Sequence, residues 1–160
     1  MKFNGTLICV ADMAKAKNFY EKVMEQKVLY DTGDNNGDGV INVAFENGLN
    51  LQTGFEKLVG VKLDGKPRPN NFELYFEVED IDRWTKKLKS IPEIEFIHDK
   101  KEYPWGQNAI RFYDYDKYIV EVSESMIIVA KRFLEQGLSV EETAARTLFP
   151  IEVIKQLQGK

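Results

Sequence analysis

Leu7-Ile8-Cys9-Val10-Ala11-Asp12-Met13-Ala14-Lys15-Ala16 returns 68 positions later as Tyr75-Phe76-Glu77-Val78-Glu79-Asp80-Ile81-Asp82-Arg83-Trp84. Each copy is an apolar strand ending in Val, one further residue, an Asp, and then an amphipathic helix. Val10 aligns with Val78, Asp12 with Asp80 and Ala16 with Trp84. A second pair, Leu49-Asn50-Leu51 and Val120-Glu121-Val122, lies 71 positions apart. Two offsets that nearly agree imply one supersecondary unit used twice. Solenoid repeats are shorter, so a two-lobed domain is expected.

The chemistry of each unit is legible in its pattern. Thr6, Ile8 and Val10 share one side of the first strand, and Gly5, Leu7 and Cys9 the other. In the copy, Leu74, Phe76 and Val78 oppose Glu73, Tyr75 and Glu77, as strand alternation requires. Asp12 and Asp80 suit helix N-caps, where a carboxylate accepts from free backbone N–H groups and meets the positive helix end. Met13, Ala16, Phe19, Tyr20, Val23 and Met24 then occur at helical spacing, as do Ile81, Trp84, Leu88 and Ile91. The Val side is therefore expected against the helix, and the Glu73 side away from it.

Three strand-like runs come after each helix: 27–30, 40–45 and 49–53, then 93–98, 108–113 and 118–123. Gly- and Asp-rich turns separate them. The expected class is α+β: two β-α-β-β-β modules, 1–54 and 71–124, forming a curved mixed sheet around a cavity. Gly65, Pro67 and Pro69 mark 55–70 as the connector. The domain spans 1–125, and 126–160 is a helical extension.

Bulk properties bound the function. With 160 residues, 43% apolar and 30% charged, the chain has enough material for one domain and an appendage. A net charge of −4 argues against general nucleic-acid binding. The lone Cys9 excludes an intrachain disulfide and fits a reducing compartment. The first residues lack the apolar run of a signal peptide, and no run of about 18 apolar residues exists. A cytoplasmic protein without a membrane span is expected.

The repeat and its motifs resemble the vicinal oxygen chelate superfamily: glyoxalase I, bleomycin-resistance proteins and extradiol dioxygenases. Val10-x-Asp12-x-x-x-Ala16-x-x-Phe19-Tyr20 is similar to the opening V-x-D-x-x-x-S-x-x-F-Y. Pro104-Trp105-Gly106-Gln107-Asn108-Ala109-Ile110-Arg111-Phe112-Tyr113-Asp114 resembles P-W-G-x-R-x-x-x-F-x-D, and Ile119-Val120-Glu121-Val122 the closing I-x-E-L. The family's D-P-x-G turn is replaced by Asp114-Tyr115-Asp116-Lys117.

The resemblance implies a site. Family enzymes hold a divalent metal on two residues from each module. Those positions fall on Gly5, Asn50 (with Gln52 on the same face), Glu73 and Glu121. Zn, Ni and Fe sites favour imidazole or thiolate, and the one histidine, His98, is on another strand. No Zn or Ni is expected, and no cofactor. Glu73, Glu121 and Asn50 would instead suit a hard cation such as Mg²⁺ or Mn²⁺ if any metal binds. Alternatively the two glutamates take a ligand directly, or act as acid and base. Facing each other in an apolar cavity, they would repel, and at least one carboxyl pKa would rise. Leu7, Cys9, Tyr75, Trp105 and Ile119 are expected to line the same cavity, with Tyr75 and Trp105 placed to stack on a flat ligand. His98 is expected at a strand end on the surface.

Two further patterns bear on function. Asp34-x-Asn36-x-Asp38-Gly39 matches half of an EF-hand loop, but its twelfth position is Phe45 and strands flank it, so a polar hairpin loop is expected. In the extension, Met126, Ile127, Val129, Ala130, Phe133 and Leu134 form an apolar stripe, Ser139-Val140-Glu141-Glu142 a capping box, and Pro150 opens a last helix. Gly137 to Ala144 resembles the first helix of a helix-turn-helix. Five Lys or Arg against four Glu over 126–160 suit a cap over the sheet or a dimer contact better than DNA readout. The expected function is binding of a small organic molecule by a homodimer, the dimer resting on that apolar stripe. A lyase, isomerase or dioxygenase of the same superfamily, and a ligand-responsive DNA-binding regulator, are the alternatives.

Overall fold

Both copies of the repeat adopt the same element order, for the reasons their patterns contain. The computed structural model describes residues 1–2, 4–34, 37–63 and 69–158. It divides into two compact units: Met1–Pro69 with Asp114–Lys117, and Asn70–Tyr113 with Tyr118–Lys160. The first carries β1 (Thr6–Cys9), α1 (Met13–Asn18), β2 (Val28–Asp31), β3 (Asn42–Phe45), β4 (Leu49–Gln52) and α2 (Phe55–Val59). The second carries β5 (Glu73–Val78), α3 (Ile81–Lys89), β6 (Glu95–Glu102), β7 (Asn108–Tyr113) and β8 (Ile119–Glu124). It ends in α4 (Met126–Glu135), α5 (Val140–Thr147) and α6 (Ile151–Gln158).

Each unit holds a four-stranded mixed sheet, ordered β1-β4-β3-β2 and β5-β8-β7-β6. In each, the first strand runs parallel to the last and the other pairs are antiparallel. The Asp12 carboxylate caps α1 by accepting from the Lys15 N–H at 3.0 Å, and Asp80 caps α3 from Arg83 at 2.8 Å. The Val-side residues are the core: Ile8, Val10, Met13 and Ala16 are buried in one unit, and Leu74, Ile81, Trp84 and Leu88 in the other. On the opposite faces, Leu7 remains 41% exposed and Tyr75 50%.

The departures have local causes. After α1 the chain winds as a π-helical turn, Phe19–Val23, with the Met24 N–H donating to Phe19 O at 2.9 Å. The wider turn lets Phe19 and Tyr20 be buried together. The connector contains a short helix, α2, bracketed by Gly54 and Gly60, both left-handed. In β6 the chain stays extended to Glu102, which pairs with Asn108, so His98 lies inside a strand and not at its end. The turn Asp114–Lys117 belongs to the first unit. Asp114 accepts from the Tyr20 hydroxyl at 2.6 Å, Asp116 from the Ala11 N–H at 2.8 Å, and Tyr115 packs edge-on against Phe19. Tyr115, which stands where the family turn has Pro, therefore makes a ring contact of its own.

The EF-hand-like stretch closes on its own backbone: Asp34 accepts from Gly39 N–H and Asp38 from Val40 N–H. Asn36, its middle member, lies outside the described residues. In the extension, Ser139 and Glu142 make both bonds of a capping box, at 3.1 and 2.8 Å. The α4 stripe is buried within its own unit through Val129, Ala130 and Phe133. Among the described residues no helix is long and apolar enough to cross a membrane.

Candidate functional site

The register of the second sheet assembles a polar row. Tyr75 on β5 is level with Glu121 on β8, Glu121 with Arg111 on β7, and Arg111 with His98 on β6. All four share the face opposite the α3 core. One step along lie Glu73, Ile119 and Tyr113, and one step the other way Glu77, Ser123, Ala109 and Lys101.

Arg111 is the centre. Its Nε donates to Glu73 Oε2 at 2.9 Å, one terminal nitrogen donates to Glu121 Oε2, and the other to the Tyr103 hydroxyl. Glu121 is buried, and its second oxygen accepts from Ser123 Oγ at 2.9 Å. The expectation of two mutually repelling glutamates is corrected here, because a guanidinium lies between them and supplies the opposite charge that burial requires. Tyr103 extends the network. Its hydroxyl lies 3.2 Å from His98 Nε2, while His98 Nδ1 sits 2.8 Å from the Asp99 carbonyl. A carbonyl only accepts, so Nδ1 carries the proton, and in the neutral ring Nε2 is then the acceptor that faces the phenol.

The loop between β6 and β7 supplies an aromatic wall. Tyr103 and Trp105 stack with ring centroids 4.8 Å apart. Trp105 Nε1 donates to Gln107 Oε1 at 2.9 Å, and Gln107 Nε2 donates to the Tyr75 hydroxyl at 3.1 Å. Tyr75 in turn donates to Glu77 at 2.8 Å. Partial burial, helped by that carboxylate, holds the Tyr75 phenol above its ordinary pKa. Trp105 thus stacks on Tyr103 within the wall, and its link to Tyr75 runs through Gln107.

The first unit places its residues on the equivalent row, which is nearly uncharged: Leu7, Asn50, Ala44 and Tyr30. Asn50 donates to Gly48 O at 3.1 Å. Gln52 is buried and uses its amide on Ile41 O, Thr53 O and the Asn42 side chain. Gly5 has φ +132°, and a Cβ there would come 1.9 Å from Gly48 O. No side chain fits where β1 and β4 converge, so this position is closed to a metal ligand. Burial raises the Cys9 thiol pKa, which keeps it protonated at neutral pH.

Two crevices collect predicted residues. Cys9, Gln52 and Phe55 line one of about 240 Å³, and Glu73, Ile119 and Phe72 one of about 280 Å³. Neither reaches the roughly 300–1,000 Å³ usual for ligand pockets, so neither encloses such a ligand alone.

The four positions implied for a divalent metal do not fit one. Gly5 admits no side chain, Asn50 is turned to a carbonyl, and Glu73 and Glu121 share a guanidinium. Among the described residues no group of three or more His, Cys, Asp or Glu gathers. Sequence reasoning missed Arg111, Tyr103 and Gln107. The available signal was alternation over 108–113, which puts Arg111 on the opposite face from the buried Ile110 and Phe112.

A family model described as a glyoxalase-like domain matches residues 3–127. The chain belongs to the glyoxalase-like family. With it comes membership of the vicinal oxygen chelate superfamily. A crystal structure of a protein of unknown function from Agrobacterium tumefaciens is 31% identical, with a TM-score of 0.67, over 78% of this chain and 94% of that one. The fosfomycin resistance protein FosX of Listeria monocytogenes is 19% identical, with a TM-score of 0.59, over 76% and 91%. A glyoxalase/bleomycin resistance/dioxygenase superfamily member from Sphaerobacter thermophilus is 22% identical, with a TM-score of 0.56, over 78% and 98%. The latter two likenesses concern the fold alone. No curated protein matches the chain.

Proposed function

We propose that this chain is a small-molecule-binding member of the glyoxalase/bleomycin-resistance type, without the histidine metal ligands of its relatives. The observation that carries this reading is Arg111, bridging Glu73 and the buried Glu121. A cation there would have to displace a guanidinium held by two carboxylates. What the face offers instead is a fixed set of hydrogen-bonding groups beside stacked rings, suited to a flat organic ligand with polar substituents. In the second unit, taken by itself, we assign Glu73, Glu121, Tyr75, Trp105 and Ile119 to the ligand; Leu7, Cys9 and Asn50 are the corresponding candidates of the first unit. We place the protein in the cytoplasm as a homodimer that binds neither nucleic acid nor membrane. On α6 the exposed Lys155 is paired with Glu152 at 3.2 Å, which leaves little positive charge for phosphate.

Elemental analysis and a thermal-shift screen of the full chain test this. Purified protein should carry no stoichiometric Zn or Ni, and Mg²⁺ or Mn²⁺ should leave Tm unchanged. A ligand from a set of small aromatic and polar metabolites at a hundredfold excess over Kd should add about 2.7 kcal/mol, roughly 5–10 °C. Stoichiometric metal that disappears in Glu121→Ala would overturn the reading.

A second reading, acid–base catalysis within the superfamily, rests on the Tyr103–His98 contact. Arg111 donates to the phenol oxygen while His98 Nε2 accepts its proton, the arrangement of an activated proton donor. Deuterium wash-in at a carbon of the bound ligand, abolished in Tyr103→Phe, would favour this reading over simple binding.

A further inference from the structure

The family match ends at residue 127, at the first turn of α4. The rest of that helix grips the loop that carries the aromatic wall. Arg132 on α4 donates from one terminal nitrogen to Glu124 Oε1 at 2.5 Å, and from the other to the carbonyl of Gly106, between Trp105 and Gln107. Glu124 closes the bracket from the sheet side. Its other carboxylate oxygen accepts from the Asn108 backbone and side chain at 2.8 and 2.9 Å, and its carbonyl from Gln107 Nε2 at 2.8 Å. Gly106 lies directly on Phe133: its φ is +87°, and a Cβ would come 2.1 Å from the ring. Loop and helix are therefore fitted to each other by charge, hydrogen bonds and shape.

We propose that α4, through Arg132, is the positioning element of the ligand site. The loop it holds sets Trp105 against Tyr103, Tyr103 against Arg111, and Gln107 against the Tyr75 hydroxyl. The part of the chain beyond the family match thus orders side chains on the sheet face that the family shares. Arg132 is a positioning residue, since it reaches the site only through Gly106 and Glu124. That the wall serves a ligand rests on the small-molecule reading; the bracket itself is tested without one.

The experiment uses the full chain in a Trp84→Phe background, which leaves Trp105 as the sole tryptophan. Arg132→Lys keeps a positive charge opposite Glu124 but replaces the planar fork, whose two nitrogens reach separate partners, with a single nitrogen. Arg132→Met with Glu124→Gln removes both charges, so no buried carboxylate is left unpaired. In both variants, amide exchange over 103–107 should accelerate about tenfold or more, the effect of losing a charge-assisted hydrogen bond. Acrylamide quenching of Trp105 should rise with it, while β5 and β8 amides exchange as in the parent. Unchanged loop exchange and quenching would overturn the proposal. So would acceleration shared equally by β5 and β8, because Arg132 would then be a general stabiliser. If the small-molecule reading fails, the parent chain melts unchanged with every metabolite, an outcome that leaves the exchange result intact.

Discussion

Arg111 shows how one side chain changes the meaning of its neighbours. Two glutamates on a cavity-facing strand pair imply a metal, an acid–base couple or a repulsive pair. With a guanidinium between them they form an ion network in which Glu121 is buried, Arg111 part-buried and Glu73 exposed, so the buried carboxylate depends on its partner. Arg111→Met should therefore cost about 3 kcal/mol or more, because it strands the Glu121 carboxylate away from water. Arg111→Met with Glu121→Gln should recover most of that loss, because it removes the charge along with its partner. Urea denaturation of the two variants checks this, and a single variant as stable as the parent would show that the bridge contributes nothing. Glu121 was legible because it stands in a closing strand motif, and Glu73 because it repeats Gly5 at the 68-residue offset. Arg111 was inside a recognised motif yet had no role, since the partner of a strand residue depends on register, which one strand does not contain.

At the scale of elements, local signals were good guides and boundaries between elements were not. The Asp caps, the capping box at Ser139 and the alternation of β1 and β5 each formed as their chemistry dictates. The extension of β6 and the short α2 depend on hairpin pairing and on flanking glycines, neither of which has a periodic signature. The docking of α4 was equally hidden, because Glu124 and Arg132 lie at the end of one element and the middle of the next. Their pairing has a pH signature. Burial pushes the Glu124 carboxyl up, but hydrogen bonds from Arg132 and from both Asn108 donors outweigh it, and the pKa lies below the ordinary value. A depressed folded-state pKa gives stability that is complete above the unfolded value of about 4.3 and is lost as pH falls through the folded one. Glu124→Gln should therefore be less stable than the parent at pH 7, and the gap should narrow as the pH is lowered from about 4.5 towards 3. Urea midpoints at pH 7, 4 and 3 decide it: a gap undiminished at pH 3 would assign the effect to packing.

At the scale of the whole molecule, duplication has produced two sheets of identical order with different surface chemistry. One row reads Leu7, Asn50, Ala44 and Tyr30, the other Tyr75, Glu121, Arg111 and His98. The expected homodimer rested on the apolar stripe of the extension, but Val129, Ala130 and Phe133 are buried within their own unit. Exposed apolar side chains lie on both units: Leu148 is 80% exposed on the extension, and Leu29 is 62% exposed, Leu58 58% and Val61 66% on the first unit. Large apolar side chains left in water mark contact surfaces when they form a patch; exposed Leu58, Val59 and Val61 follow closely on α2 and just after it, and two-fold homodimers are the commonest way to cover such a surface. Sedimentation of the full chain at micromolar concentration should give a dimer. Leu58→Lys with Val61→Lys should shift it to monomer without lowering the urea midpoint of the monomeric chain, since neither residue is in a core. An Arg132→Met, Glu124→Gln chain, altered only at the α4 bracket, should remain dimeric. A monomeric parent would refute the dimer, and a dimer lost through the α4 variant but not the lysine variant would return the contact to the extension.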